Sequence, residues 1–273
     1  MTTATPSPAP DSADPDTATI HTSFSAGVAR LTLHNPRRKN AITLGMATAI
    51  GEFCDRVTDD DSIGAVIVSG AGEYFCSGAD TRDLAASSAD PASPEAMRRT
   101  SAVYGAFVRI GTLPVPTISV VIGGAVGAGL NLAMATDITV TTPQTRLESG
   151  FLARSIHPGG GHLSLLGKHV GWSTTIAMAA CGDAMTGTQA VAAGLAYAAL
   201  PADEIDDYVT TLAAAAAADP ELTRRIMTSA RLELGPPAVS WASALEVERG
   251  VQMWSMSRKG KQNWSSRGPQ AGR

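Results

Sequence analysis

The chain has 273 residues, enough for one large domain or for one domain with a C-terminal addition. Hydrophobic residues make up 44% and charged residues 17%, a balance that favours a globular protein with a sizeable core. The net charge of -4 offers no attraction to nucleic acid or to an anionic membrane surface, so neither is an expected partner. No run of about eighteen apolar residues predicts a membrane-spanning helix. The N-terminus has no basic segment followed by an apolar one, so we expect a cytoplasmic protein.

Metal and disulfide chemistry find little support in the sequence. Cys54, Cys76 and Cys181 are far apart and show no CxxC or Cys/His spacing, which favours buried, reduced thiols. His157 and His162 flank a Pro-Gly-Gly-Gly turn and lack a third ligand. We therefore expect no metal site and no disulfide framework.

The first two thirds of the chain alternate strand and helix patterns after a polar leader. Residues 1–16 are mainly Pro, Ser, Ala, Thr and Asp, which predicts a disordered leader. The patterns that follow predict a hairpin, a helix with Thr43 as its N-cap, a buried strand, and then helix, strand, helix and strand. Their predicted ranges are 20–24 with 28–33, 44–57, 65–68, 95–111, 117–121, 127–135 and 138–140. This alternation predicts an α/β fold with parallel strand pairing, and we assign residues 17–201 to that core.

The character of the sequence changes near residue 202. Three helical patterns follow, at about 203–218, 221–232 and 238–257, separated by Asp-Pro and Gly-Pro-Pro breaks. An all-helical end after an α/β body favours a region that packs on another subunit, so we expect residues 202–258 to mediate oligomerisation. Residues 259–273 are basic and rich in Gly and Ser, and they predict a flexible tail.

Two glycine-containing segments carry the chemistry. The first spans 74–80 and the second spans 122–133, which follows a predicted strand and opens a predicted helix. Glycines at such junctions let backbone N–H groups approach a ligand, and two N–H groups from separate turns suit a developing thioester enolate. A dinucleotide fingerprint and a P-loop both lack their required spacing here. Close helix–strand packing explains one such turn but explains two less well.

The same segments resemble signatures of the crotonase (enoyl-CoA hydratase/isomerase) superfamily. The resemblance runs in order from about residue 18 to 201. Its motifs are Asn-Pro-Arg-Arg-Lys-Asn-Ala-Ile at 35–42, Phe-Cys-Ser-Gly-Ala-Asp at 75–80, the Pro-to-Asp element at 116–137, Pro-Gly-Gly-Gly at 158–161 and the Met-to-Leu segment at 185–195. The resemblance implies a spiral of ββα units with a C-terminal helical trimerisation region, assembled as a homotrimer or a dimer of trimers.

The resemblance also implies the ligand and its contacts. The ligand is an acyl-CoA or enoyl-CoA thioester, bound as substrate, with no separate cofactor. The backbone N–H groups of Ala79 and Ala128 become the two oxyanion donors; Ala128 replaces a glycine usual in the family and keeps its donor if its φ is negative. Residues Arg37, Arg38, Lys39 and Asp80 are assigned to the coenzyme A site. A solvated basic turn is the alternative for the first three, and helix N-capping is the alternative for Asp80.

Two positions depart from the family pattern. Hydration in the superfamily uses two glutamates, which position a water molecule and transfer a proton. In this chain Asn131 and Phe151 occupy those positions, and neither side chain transfers a proton near neutral pH. Ordinary two-glutamate hydration is therefore disfavoured.

Three residues are candidates for a replacement acid or base. His157 and His162 flank the glycine turn, and His162 opens a helix predicted to run to about Lys168. Glu148 lies three residues before Phe151. The alternatives are packing or turn histidines for the first two and an exposed loop carboxylate for Glu148.

Two main hypotheses follow. The first is an acyl-CoA enzyme that stabilises a thioester enolate with an atypical acid/base set, for isomerisation, hydrolytic cleavage or hydration by another base. The second is a non-catalytic acyl-CoA-binding protein that kept the pocket and lost turnover. A structural subunit with no affinity for acyl-CoA is a third possibility.

Overall fold

The computed structural model describes residues 17–235 and 237–260. The predicted leader, residues 1–16, and residues 261–273 of the predicted tail lie outside the described residues. The strands are β1 Thr19–Ser25, β2 Val28–His34, β3 Ala65–Gly70, β4 Thr117–Val121, β5 Gly124–Val126, β6 Ile138–Thr141, β7 Arg146–Glu148, β8 Ala184–Thr186 and β9 Ala198–Ala199. The α-helices are α1 Leu44–Asp59, α2 Thr81–Ser88, α3 Pro94–Gly111, α4 Ala128–Ala135, α5 His162–Ala180, α6 Gly187–Ala193, α7 Ala202–Ala217, α8 Pro220–Leu234 and α9 Trp241–Lys259.

The main sheet has six strands in the order β1-β2-β3-β4-β6-β9. The predicted hairpin is confirmed: β1 and β2 pair antiparallel and are joined by Ala26 and Gly27, which both have positive φ. The remaining neighbours pair in parallel, as the alternation of strands and helices predicts. The predicted N-cap of α1 is confirmed as well, because the Thr43 hydroxyl accepts a hydrogen bond from the Met46 N–H at 3.2 Å.

Strand β3 is apolar along its length because both faces of the sheet are covered. Val66 and Val68 point into the main core beneath α1 and α3, whereas Ala65 and Ile67 point to the other face. That second face packs against α7, and its cluster also includes Ile205 and Val209. The predicted apolar run is thus a central strand of a layered α/β fold.

A second sheet of three short strands, in the order β5-β7-β8, lies beside the first. These strands were not predicted from the sequence. Each has three residues, and β5 lies within the glycine-rich segment 122–133, so no alternation of apolar and polar residues marks them. This sheet matters for the site because it anchors both glycine turns.

The helix that begins at His162 is longer than predicted. It continues past Lys168 to Ala180, with a break at Gly171, where φ is 72° and ψ is 180°. Glycine adopts this left-handed φ without the strain that a Cβ would cause. The helix therefore continues beyond the end predicted near Lys168.

The C-terminal helical region forms as predicted, but much of it is uncovered. Neither α8 nor α9 has a buried residue, although both carry large apolar side chains. The exposed apolar residues of these two helices are Ile226, Leu232, Leu234, Trp241, Leu245, Met253 and Met256. Helix α9 packs back on α8 through Trp254, whose ring lies 3.9 Å from the Arg225 guanidinium carbon. Of the helices in the described ranges, none is long and apolar enough to cross a bilayer.

Asn40 ties the loop after β2 to the segment that leads into the site. Its buried side chain accepts a hydrogen bond from the Asn35 N–H at 2.9 Å and donates to the carbonyls of Ala71 and Tyr74 at 2.9 and 2.6 Å. We expect Asn40→Ala to lower the free energy of unfolding by about 3 kcal/mol, because each lost hydrogen bond contributes roughly 1 kcal/mol. Urea denaturation measures this change.

Asn40→Gly is the matched control for this prediction. Asn40 has a φ of 55°, which glycine adopts freely, so this variant removes the side chain without backbone strain. We expect it to lose nearly as much stability as the alanine variant. Wild-type stability in the glycine variant would show that the backbone conformation matters and the hydrogen bonds do not.

Candidate active site

A cavity of about 220 Å³ opens where the two glycine turns meet α3 and the loop after β7. Its walls include both predicted oxyanion residues, the two residues that the family resemblance aligns with the hydratase glutamates, and one of the candidate histidines. The residues that line it include Arg38, Gly78, Ala79, Asp83, Arg99, Tyr104, Gly127, Ala128, Asn131, Phe151, Arg154 and His157. The cavity therefore gathers residues that lie up to about 120 positions apart in the sequence.

The first turn is held between β5 and the end of the loop before α1. Ile42 brackets Ala79: its N–H donates to the Gly78 carbonyl at 2.8 Å, and its carbonyl accepts from the Asp80 N–H at 2.9 Å. In extended backbone successive N–H groups point to opposite sides, so the Ala79 N–H points away from Ile42 and toward the cavity that Ala79 lines. Within residues 17–235 and 237–260 this N–H has no hydrogen-bond partner.

The second turn places Ala128 at the start of α4. Gly127, with a φ of 56° and a ψ of −119°, precedes the helix in a conformation that favours glycine. Ala128 is the first helical residue, so its φ is negative and its N–H is one of those that a helix start leaves unpaired. No partner for it exists in the described part of the chain.

The two turns lie against each other. Gly78 has a φ of 107°, and a Cβ placed on it would lie 3.7 Å from the Ala128 nitrogen. Two unpaired backbone N–H groups thus line one cavity, reinforced at Ala128 by the positive end of the helix dipole. Such a pair suits a carbonyl oxygen that gains negative charge during a reaction.

Asn131 lies one turn into α4, lines the cavity and is only 1% exposed. Its Nδ2 donates to the Gly159 carbonyl at 3.0 Å, which fixes the orientation of the amide because a carbonyl only accepts. Its Oδ1 lies 2.7 Å from His162 Nδ1, so the imidazole must donate from Nδ1. His162 Nε2 then accepts from the Ser149 hydroxyl at 2.8 Å.

His162 lies behind the cavity wall rather than in it. It is 1% exposed, does not line the cavity, and has the Phe151 ring edge-on at 5.0 Å between ring centroids. Burial lowers the pKa of His162 to about 4, so the ring is neutral near pH 7. This geometry gives His162 no direct contact with a molecule in the cavity.

The low pKa of His162 predicts acid sensitivity. The folded pKa of about 4 lies below the unfolded value of 6.5, so the unfolded state binds the extra proton first as pH falls. The stabilising effect of the neutral ring is full above pH 6.5 and is lost progressively toward pH 4. We expect up to about 3 kcal/mol of stability to depend on this group.

Urea denaturation from pH 7.5 to 4 tests this expectation, with His162→Gln as the comparison. The wild type should lose more stability than the variant across this range, whatever their difference at pH 7.5. Parallel pH dependence in the two proteins would contradict the expectation.

His157 does line the cavity and is exposed. Its Nδ1 lies 2.7 Å from the Pro158 carbonyl, which can only accept, so the neutral ring carries its proton on Nδ1. Nε2 is then left with a lone pair able to accept a proton. Of the histidine candidates, His157 is the one the structure brings to the cavity.

Glu148 is not brought to the cavity. It lies in β7 and pairs with Arg146, Nε to Oε2, at 2.9 Å, while its carbonyl accepts the Gly127 N–H at 3.2 Å. The backbone of Glu148 therefore supports the second turn, although its carboxylate points elsewhere.

The basic residues assigned to coenzyme A occupy different places. Arg38 lines the cavity and pairs with Asp80 at 3.4 Å, whereas the Lys39 ammonium lies 5.0 Å above the Tyr74 ring. Arg37 is not among the residues that line the cavity. Asp80 is buried and caps α2 by accepting the Arg82 N–H at 2.8 Å; the side-chain hydrogen bond from Arg82 lowers the pKa of Asp80 below its ordinary value.

Several polar residues of the cavity were not assigned to the site from the sequence, among them Asp83, for which helix N-capping was a sufficient explanation, and Tyr104. Asp83 is the carboxylate among the lining residues, and its Oδ2 accepts the Leu44 N–H at 3.1 Å. Tyr104 lines the cavity from α3, with its hydroxyl against Gly159. Asp83 follows the N-cap Asp80 by three residues and therefore shares its side of the helix, which is the one signal that pointed to it. No motif marks Tyr104. Among the described residues no group of three His, Cys, Asp or Glu side chains could hold a metal ion.

Comparison with known proteins places the chain in a family. The family model for enoyl-CoA hydratase/isomerase matches residues 23–261. A protein of Mycobacterium tuberculosis named as a probable enoyl-CoA hydratase is 36% identical over 232 residues, which cover 78% of this chain and 88% of that protein. The 1,2-epoxyphenylacetyl-CoA isomerase of Escherichia coli is 30% identical over 195 residues, covering 71% of this chain and 74% of the isomerase.

Solved structures show the same fold. An enoyl-CoA hydratase from Polaromonas sp. JS666 superposes with a TM-score of 0.79 at 21% identity, covering 88% of this chain and 93% of that one. An enoyl-CoA hydratase from Bacillus anthracis gives a TM-score of 0.77 at 21% identity, with coverages of 89% and 92%. The resemblance in sequence motifs, the family match and the fold lead to one conclusion: the chain belongs to the enoyl-CoA hydratase/isomerase family of the crotonase superfamily.

Proposed function

We propose that the protein acts on an acyl-CoA or enoyl-CoA thioester and stabilises its enolate with the backbone N–H groups of Ala79 and Ala128. The observation that carries this proposal is the presence of two unpaired N–H groups, from separate turns, on one cavity wall. When a base removes the proton on the α-carbon, the electron pair moves onto the thioester oxygen. Two donors already in place stabilise that charge without reorganisation.

The reaction we propose is proton transfer at the α-carbon, as in the isomerisation of an enoyl-CoA. The Asn131 carboxamide and the Phe151 ring cannot transfer protons, so the cavity lacks the pair of carboxylates that water addition uses in the superfamily. The similarity to a 1,2-epoxyphenylacetyl-CoA isomerase supports rearrangement of a coenzyme A thioester in general terms. Isomerisation can proceed with one group that removes a proton and returns it elsewhere on the acyl chain.

His157 is the proton-transfer group that this proposal favours, and Asp83 is the carboxylate that lines the same cavity. The Nε2 lone pair of His157 faces no acceptor or donor among the described residues. Asp83 keeps a hydrogen bond to Leu44, so it is the less available base. His162 and Glu148 do not line the cavity, so we assign direct proton transfer to neither of them.

Coenzyme A would lie toward the basic side of the cavity. Three guanidinium groups line it, from Arg38, Arg99 and Arg154. Arg38 pairs with Asp80 and Arg99 with Glu95, whereas Arg154 has no carboxylate partner among the described residues, and a guanidinium of this kind suits the phosphate groups of coenzyme A. Arg37 and Lys39 extend this basic side along the loop that precedes α1, which is the arrangement the family resemblance implies.

We also propose a homotrimer or a dimer of trimers, which the family resemblance implies, and the uncovered apolar residues of α8 and α9 support association of the chain. Large apolar side chains that remain exposed on a single chain mark interaction surfaces. Sedimentation equilibrium measures the assembly directly. A monomer at micromolar concentration would contradict this part of the proposal.

A non-catalytic acyl-CoA-binding protein is the second candidate. It is favoured by the presence of Asn131 and Phe151 where the family resemblance expects glutamates, because these two side chains line the cavity and cannot transfer protons. The two candidates differ in turnover and agree on binding.

Calorimetry and mass spectrometry on one panel of thioesters separate them. The panel holds saturated and unsaturated acyl-CoAs of several chain lengths, and matched thioethers, which lack the carbonyl, serve as controls. The enzyme hypothesis predicts tighter binding of thioesters than of thioethers, together with a rearranged product. Binding without any product across the panel favours the binder, and no binding of any thioester contradicts both.

A further inference from the structure

Three buried polar side chains form a continuous hydrogen-bonded row behind the cavity. Ser149 follows β7, His162 opens α5 and Asn131 belongs to α4, and each is 1% exposed. The distances along the row are 2.8 Å from Ser149 Oγ to His162 Nε2 and 2.7 Å from His162 Nδ1 to Asn131 Oδ1. A third bond, 3.0 Å long, runs from Asn131 Nδ2 to the Gly159 carbonyl.

The Gly159 carbonyl, at one end of the row, fixes the direction of each hydrogen bond in it. The Gly159 carbonyl only accepts, so Nδ2 of Asn131 donates and Oδ1 faces the imidazole. His162 therefore carries its proton on Nδ1, and its Nε2 accepts from the Ser149 hydroxyl. All the polar atoms of the imidazole are satisfied in this one arrangement, which is the condition for a stable buried network.

The order serine, histidine, asparagine is also that of a nucleophile, its base and an orienting group. The position of the row argues against that role. Neither Ser149 nor His162 lines the cavity, and the Phe151 ring lies edge-on to the imidazole. The Ser149 hydroxyl has no open path to a carbonyl held by Ala79 and Ala128. Of the three side chains, only that of Asn131 borders the cavity.

Asn131 still has hydrogen-bonding capacity to offer there. One hydrogen on Nδ2 and one lone pair on Oδ1 have no partner among the described residues. Gly160 packs on the amide from the far side, since a Cβ there would lie 3.0 Å from Nδ2. The amide is thus held at both ends while it borders the space where the acyl group would lie.

We infer that His162 and Ser149 are positioning residues that lock the Asn131 carboxamide in one orientation for contact with the acyl group of the bound thioester. The contact itself rests on the proposed function; the locked orientation does not. Loss of the Ser149 hydroxyl removes the hydrogen bond that holds the imidazole at Nε2. The ring is then held at Nδ1 alone, so the ring and the Asn131 amide both gain freedom to move. Serine and histidine variants should consequently share one defect.

Nitrogen NMR of the free protein, labelled on histidine and asparagine, tests the lock without any substrate. We expect wild-type His162 to show the Nδ1–H tautomer and the Asn131 side chain to give one sharp amide signal. Ser149→Ala should shift the His162 Nε2 signal, because that atom loses its donor, and should broaden the Asn131 signal, whereas Ser149→Thr, which keeps a hydroxyl, should restore both. An Nε2–H tautomer in the wild type, or unchanged spectra in Ser149→Ala, would overturn the inference.

Kinetics on a thioester that the wild type turns over test the positioning role. Ser149→Ala and His162→Gln should each lower kcat by about 10- to 100-fold, the scale of a misplaced contact, with KM nearly unchanged. His169→Gln is the matched control, because His169 contacts the Met134 carbonyl away from the cavity. Full activity in both variants would contradict the role, as would a covalent acyl group on Ser149, which mass spectrometry detects. Wild-type protein without turnover would count against the proposed function, while the NMR result would still decide the lock.

Discussion

Replacing Ala128 with proline should lower kcat by about 10²–10³-fold, the usual effect of removing one oxyanion donor. Proline has no N–H, and its Cδ would occupy the place of the donor. The fold should survive because Ala128 is the first residue of α4, where proline is well tolerated. The preceding residue is Gly127, which has no Cβ to clash with the proline ring.

Ala128→Gly is the control for this variant because it keeps the N–H. We expect its kcat to stay within a few-fold of the wild type, and thermal unfolding should show that both variants are folded. Steady-state kinetics on any thioester that the wild type turns over give the comparison. A folded Ala128→Pro protein with nearly wild-type kcat would remove Ala128 from the oxyanion site.

The second large effect is expected for His157→Gln, which should lower kcat by about 10²–10⁴-fold, the range typical of a general acid or base. His157 lines the cavity and keeps its Nε2 lone pair available, because Nδ1 donates to the Pro158 carbonyl. Glutamine has a similar length but cannot accept a proton near neutral pH. His169→Gln again provides a histidine loss away from the cavity.

Asp83→Asn distinguishes the two titratable candidates. Asparagine keeps an oxygen for the Leu44 N–H and removes only the negative charge, so the start of α1 stays capped. If His157 is the base, this variant should retain most of its activity. Wild-type kcat in His157→Gln together with a large loss in Asp83→Asn would transfer the role to Asp83.

Much of the fold was predictable because its signals are local. The Thr43 N-cap, the apolar run of β3 and the prolines before β4 each mark an element within a few residues, and all three elements form. The strands of the second sheet have no such signal. They are three residues long and depend on pairing partners far along the chain, which a local pattern cannot reveal.

The sequence likewise predicted one part of the site and not another. The two glycine turns were recognisable because each lies beside a strand and carries a family signature. The row of Ser149, His162 and Asn131 was not recognisable as a unit, since its members belong to three elements and are joined only by tertiary packing. His162 looked like a possible acid or base in the sequence, and only its burial behind Phe151 shows where it lies.

The replacement of the usual glycine by Ala128 also becomes clear in the structure. The left-handed conformation belongs to Gly127, so the following residue begins the helix with a negative φ and tolerates a methyl group. The unpaired N–H at this position is therefore a property of the helix start. It does not depend on glycine at residue 128.

The most direct test of the central claim is hydrogen exchange at the α-carbon of a bound thioester. The protein is incubated in D₂O with a saturated acyl-CoA and, separately, with an enoyl-CoA. The masses of the products are then measured by mass spectrometry. Removal of the α-proton, storage of its electron pair on the thioester oxygen and return of a deuteron should add deuterium to the acyl-CoA. We expect this exchange in the wild type, its loss in Ala128→Pro, and little addition of water to the enoyl-CoA. A thioester that binds without exchange would contradict enolate stabilisation at this site. Rapid addition of water to the enoyl-CoA would contradict the loss of hydratase chemistry.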